Sequence, residues 1–244
     1  MQTQKENSAC PEEERKGGSA MLGEILNIEK ILNACDRILY FLKINFFFLI
    51  SNLPVLLFFL FVGISQVRTY LPLFLVCAVF AGPALCGVFF SMNRVLHHTD
   101  TAAWKDYRTG YTDCWGRKLA VAAVQAAAIL VFWTNVEFFA VQMPVLPLMI
   151  VFLVLFVGTI LMTPNLYLLA SRYEMGVRDI VKGAVVLTIT RPVNTLGNTA
   201  MLAVILMLLE IKAGTFILFI ASIYGFVVVF MHQKIQRAME ESRS

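Results

Sequence analysis

What most constrains this chain is a series of long apolar runs almost empty of charge. They cover Ile38–Ile64, broken only by Lys43; Leu71–Leu96, with Arg94 near its end; Leu119–Val141; Leu146–Ser171; and Thr195–Met231. A helix needs about 20 such residues to cross the hydrocarbon of a bilayer, where the backbone must satisfy its own hydrogen bonds. The last run is too long for one pass: at ~1.5 Å per residue it would reach roughly 55 Å, beyond a full bilayer of about 40–45 Å. It must fold back, and Glu210-Ile211-Lys212-Ala213-Gly214 is the polar, flexible place to do so. The reading is an all-α integral membrane protein whose 38–231 domain has six transmembrane helices, over 38–64, 71–96, 119–141, 146–171, 195–211 and 214–231. Of its 244 residues 59% are apolar and 15% charged, far from a soluble domain at about 25% charge. A net charge of +4 is too weak to suggest a nucleic-acid partner.

Lysine and arginine set the direction. Lys5, Arg15, Lys16, Lys30 and Arg37 precede the first span. Arg94, Lys105, Arg108, Arg117 and Lys118 cluster around the second connection, Arg172, Arg178, Lys182 and Arg191 around the fourth, and Lys234, Arg237 and Arg243 follow the last span. The alternate connections hold only Arg68 and Lys212. Cytoplasmic connections carry the excess of positive charge, so both termini are expected in the cytoplasm. The first 20 residues are polar and the first apolar run is longer than a signal core, so no cleavable signal peptide is expected. Cys10, Cys35, Cys77, Cys86 and Cys114 fall in cytoplasmic segments or in the second span, with no CxxC. That speaks against a structural disulfide or zinc site.

Outside the hydrocarbon, residues 1–20 read as a disordered tail and 232–244 as a cytoplasmic tail. Over 21–37, Ile25, Ile28, Leu32 and Cys35, continuing to Leu39, recur at helical steps opposite Glu24, Asn27, Lys30, Asn33 and Arg37. This is an amphipathic interfacial helix. In the second connection Trp104, Tyr107, Tyr111 and Trp115 share helical spacing. The four rings form either an anchor in the headgroup layer or a docking face for a partner. The fourth connection gives another such helix, with Glu174, Arg178 and Lys182 on one side and Val177, Ile180, Val181, Ala184 and Val185 on the other, ended by Arg191-Pro192.

Ionisable groups are scarce at depth. Lys43 can snorkel, and Glu137 and Glu210 lie near span ends, so a proton- or sodium-coupled carboxylate relay is not expected. The deep positions hold amides and helix breakers instead: Asn52 and Pro54, Gly82 and Pro83, Gln125, and Pro164 with Asn165. Such groups either line a small neutral polar cavity or make hydrogen bonds between packed helices. His97, His98 and His232 sit at membrane borders without ligand-spaced carboxylates or thiols. No nucleotide-binding, nucleophile-elbow or metalloprotease motif is present. No cofactor and no enzymatic activity are expected.

The run from Ile31-Leu32-Asn33 to Arg37, then Asn45 and the bend at Asn52-Leu53-Pro54-Val55, resembles the start of the YesL family of small bacterial membrane proteins. Gly82-Pro83-Ala84, the loop around Trp104-Lys105-Asp106-Tyr107, Pro164 through Arg172-Tyr173, and the helix ending at Arg191-Pro192 fit the same pattern, over about residues 22–235. The family has no established biochemical function, and the resemblance carries over no catalytic residues. Its members are often associated with carbohydrate-uptake genes in Gram-positive bacteria. The resemblance therefore implies a multi-pass protein of the bacterial cell membrane in a carbohydrate-uptake context. Two functions fit the residues: an accessory or scaffolding component beside another membrane transport protein, which suits the missing coupling charges and the cytoplasmic interfacial helices, or a transporter or channel for a small neutral polar solute such as a sugar, which suits the bent, amide-bearing helices. The sequence does not give the oligomeric state.

Overall fold

A computed structural model of the chain describes residues 32, 35–97, 102–142, 145–211 and 220–241. Residues 1–20 and most of the 21–37 helix lie outside the described residues, as do the fold-back at Lys212–Gly214, the first part of the 214–231 span and the end of the C-terminal tail. The chain divides into two compact units, Met1–Tyr40 and Phe41–Ser244. Every regular element among the described residues is helical. They are α1 (Cys35–Ser51), α2 (Leu53–Phe61), a short 3-10 turn at Ile64–Gln66, α3 (Leu71–Val79), α4 (Ala81–Leu96), α5 (Ala103–Thr112), α6 (Trp115–Val141), α7 (Leu146–Arg172), α8 (Val177–Thr190), α9 (Pro192–Ile211) and α10 (Ile220–Glu241).

Proline marks the helix starts and breaks. Pro54, Pro72 and Pro147 occupy first-turn positions of α2, α3 and α7, where a missing N–H costs nothing. Pro54 also denies Ile50 its helical donor, and the expected single pass over 38–64 is two helices meeting at 63°. Asn52 fills the joint: its Nδ2 donates to the Phe48 carbonyl at 2.9 Å, and its own carbonyl accepts from Val55 and Leu56. Pro83 likewise removes the donor for Val79, where α3 hands over to α4, yet Phe80 between them stays helical. Pro164 behaves differently. α7 continues through it as one helix to Arg172.

Three helical segments are long and apolar enough to cross a membrane: Leu71–Leu96, Trp115–Val141 and Leu146–Arg172. The bent pair α1–α2 makes a fourth if it counts as one span. The apolar parts described in α9 and α10 are the shorter Thr195–Val204 and Ile220–Gln233, and α10 remains helical to Glu241. α6 and α7 pack antiparallel along their length, with Phe139 on Phe152, Trp133 against Phe156, and Gln125 bonded to Thr163. Only 6% of the apolar window in α7 is buried. Leu146, Val151, Val154 and Ile160 all stand exposed. So much bare apolar surface suits lipid, not water. The fold is compatible with a membrane protein.

α4 is the hub, packed against α5, α6, α7 and α10. Its inward residues include Gly82, Ala84, Cys86, Gly87, Val88, Phe89, Ser91 and Met92, all buried. Small residues let helix backbones approach closely where lipid supplies no hydrophobic drive. A Cβ built on Gly82 would lie 2.6 Å from the Ala122 Cβ of α6; one built on Gly225 of α10 would lie 2.5 Å from Val88. α10 is further tied to α1 through Ala221 N–H donating to Asn45 Oδ1 (3.0 Å) and Ser222 Oγ donating to the Phe41 carbonyl (2.6 Å).

Candidate functional site

The deep polar residues do not converge on one point. Gly82 and Pro83 are buried in the α4 packing interface, with Gly82 against Ala122 and the Tyr167 ring. Asn52, with Pro54 beside it, spends its amide on the α1–α2 bend. Gln125 Nε2 donates across to Thr163 Oγ1 at 2.7 Å, beside Pro164, and Thr163 in turn donates to the Thr159 carbonyl at 3.3 Å. This polar link across α6–α7 accompanies the unbroken course of α7 through its proline. Asn165, one residue on, faces a different neighbour. Its Nδ2 donates to Thr188 Oγ1 of α8 (3.0 Å) and Thr195 Oγ1 of α9 (3.2 Å).

The aromatic residues of the α5 region separate as well. Tyr107 is buried at 3% exposure, while Trp104 (57%) and Trp115 (41%) stand open. The Tyr107 hydroxyl donates to Ser51 Oγ at 2.9 Å. Its ring stacks on Tyr111 and meets Phe47, which also holds Trp104 at 4.9 Å between ring centroids. Burial pushes the Tyr107 hydroxyl well above the usual phenol range, against the Ser51 bond, so it stays neutral in this setting. Trp115 does not continue the α5 face. Cys114 adopts a left-handed conformation (φ 48°), turning the chain from α5 into α6 before Trp115. Tyr107→Phe, which deletes only the buried hydroxyl, is expected to cost about 1 kcal/mol, read as a small fall in the melting temperature of detergent-purified protein with the helix content unchanged.

Sequence reasoning missed the contacts that fasten α5. Arg94, at the end of α4, pairs with Asp106, whose side chain is fully buried. Lys118 of α6, 2% exposed, donates from Nζ to the Gly110 carbonyl at 2.7 Å, closing the C-terminal turn of α5. Gly110 lets α5 lie against α4: a Cβ there would meet Phe90 Cβ at 2.6 Å and Gly87 Cα at 3.0 Å. Nearby, Asn93 Oδ1 accepts from Arg172 Nη2 (2.8 Å) and Gln233 Nε2 (3.0 Å), joining α4, α7 and α10, with His97 Nε2 at 3.0 Å from Gln233. At the far end of α6, Glu137 pairs with Arg68 at 2.7 Å, both well exposed; such a bridge contributes at most about 1 kcal/mol.

Two further groups belong here. Asp113, Cys114 and Glu174 bring a thiol and two carboxylates within 4.8 Å of one another at the α5–α6 turn, all exposed; a surface gathering of this kind is not by itself a metal centre. The other is the surroundings of Asn165, where Asn198 of α9 is 1% exposed with neither side-chain atom bonded among the described residues. The helical spacing from Thr195 to Asn198 was the available signal. The chain matches no protein-family model, no curated protein and no solved structure.

Proposed function

We propose that this is a multi-pass protein of a bacterial cell membrane, crossing the bilayer six times with both termini cytoplasmic. In this reading, α5 and α8 lie at the cytoplasmic face, and the protein serves as an accessory or scaffolding component beside a carbohydrate-uptake system, as the YesL resemblance suggests. The crowding of Lys and Arg on alternate connections supports the threading. The length of the Thr195–Met231 run supports a fold-back pair in α9 and α10. The observation that carries the docking role is the contrast within the α5 region. Buried polar contacts from Arg94, Lys118 and Ser51 hold α5 to the bundle, while Trp104 and Trp115 remain open. A rigidly held platform with exposed indole rings suits partner recognition, where Trp is enriched.

Purification from native membranes in mild detergent tests this. The wild type is expected to retain a membrane transport subunit that the Trp104→Ser, Trp115→Ser double variant releases, with both proteins equally folded. A wild type that brings no transport subunit with it defeats the accessory reading. A second reading, a conduit for a small neutral polar solute, draws support from the buried amides of Asn165 and Asn198. It expects solute uptake to survive the Trp changes and fail on Asn165→Leu.

A further inference from the structure

We propose that Asn165, Thr188, Thr195 and Asn198 form a buried binding site between α7, α8 and α9 for a small, neutral, hydroxyl-bearing molecule, with water as its occupant otherwise. The site goes beyond the accessory role proposed above and stands or falls separately from it.

The orientation of Asn165 follows from its partners. Thr188 Oγ1 donates its hydrogen to the Ala184 carbonyl (2.8 Å) and Thr195 Oγ1 donates to the Arg191 carbonyl (3.3 Å). Both hydroxyls therefore need a donor, and the Asn165 NH2 supplies one hydrogen to each, at 3.0 and 3.2 Å. A flipped amide would set its oxygen against two hydroxyl oxygens with no hydrogen left to give. The Asn165 NH2 is thus fully used, and its Oδ1 points elsewhere with no partner among the described residues. On α9, Asn198 lies three residues beyond Thr195, on the same face one turn along. Its Nδ2 and Oδ1 also lack partners among the described residues. Asn165 and Asn198 are each 1% exposed and Thr195 is 3% exposed, so bulk solvent does not reach them.

Two amide oxygens and one NH2 left dry would each carry the full penalty of desolvation with no bond to offset it. Buried polar groups in folded proteins are almost always satisfied, and where no protein group serves, a bound molecule does. What is missing here is both donors and acceptors, which a hydroxyl group or water provides and an apolar molecule does not. None of the four side chains is ionisable, and together they offer hydrogen bonds and no charge, which fits a neutral occupant.

Erythritol, a four-carbon polyol, is the probe, used on the full chain in detergent. The wild-type melting temperature is expected to rise saturably, by about 3 °C once the polyol exceeds its dissociation constant roughly ten-fold. Asn198→Leu, equal in heavy atoms but without polar groups, is expected to lose that response and to melt no higher than the wild type. A wild type that ignores erythritol, or whose melting temperature only drifts linearly as solvent exclusion would cause, overturns the site. So does an Asn198→Leu variant that melts above the wild type, since that marks an unsatisfied amide in a dry contact. Should that variant fail to accumulate, Thr195→Cys in a background with the native cysteines replaced decides. Modification by the neutral reagent 2-hydroxyethyl methanethiosulfonate, slowed by erythritol, supports the site. An unreactive thiol, or one that erythritol does not protect, overturns it.

Discussion

Replacing Arg94 by Met is expected to destabilise the bundle by about 3 kcal/mol, whereas Asp106→Asn costs clearly less. The two partners of this pair are buried unequally: the Asp106 side chain has no exposure and that of Arg94 keeps 40%. Without Asp106, the guanidinium still reaches water and still lies over the Phe90 ring, 5.7 Å from its centroid. Without Arg94, a fully buried carboxylate loses a cationic partner in a place that water does not reach. Thermal unfolding in detergent gives the ranking, and limited proteolysis at residues 102–114 reports the loosening of α5. If Asp106→Asn proves the more damaging, desolvation does not govern the pair. Because α5 carries Trp104, the Arg94 change is also expected to weaken any partner docking without touching an exposed ring.

The parts of this fold that period and length control were readable in the sequence. The apolar windows at 71–96, 119–141 and 146–171 correspond to helices Leu71–Leu96, Trp115–Val141 and Leu146–Arg172. Pro54 marked the bend now seen between α1 and α2. What helical period leaves open is which face meets which neighbour. The spacing of Trp104, Tyr107 and Tyr111 puts three rings on one side of α5, yet Tyr107 turns into the bundle because Ser51 and Phe47 wait there. Trp115 extends the spacing on paper, but the left-handed turn at Cys114 moves it to another helix. Arg94 and Asp106 lie twelve residues apart across a helix–helix turn, a separation with no helical meaning. Asn165 stood out as a deep amide. Its partners Thr188 and Thr195 are distant in sequence and become neighbours only when α8 and α9 fold onto α7. Pro164 does not end its helix: α7 runs through it. A single proline inside a helix of 27 residues removes one bond, and the rest of the ladder continues on either side of it.

The same limit makes glycine ambiguous: a deep Gly-Pro pair reads equally as a flexible cavity wall or as a packing notch. Gly82→Ala separates the two. In a notch, the added Cβ would sit 2.6 Å from the Ala122 Cβ and 2.9 Å from Tyr167 Cε1. Neither atom is the free end of a flexible chain, so α4 and α6 must part, at an expected cost of about 2 kcal/mol. Ala122→Gly removes one of the two obstacles. Alone it costs about 1 kcal/mol through helix propensity. Combined with Gly82→Ala it is expected to bring the double variant about 1 kcal/mol above the sum of the single losses. Rescue stays partial because the Tyr167 ring remains. Gly158→Ala on α7, where a Cβ meets nothing within 4 Å, is the control and is expected to be neutral or slightly stabilising. Melting temperatures of the four proteins complete the comparison. If Gly82→Ala melts like Gly158→Ala, there is space beside α4 at this depth, and the cavity reading of Gly82 and Pro83 gains what the packing reading loses.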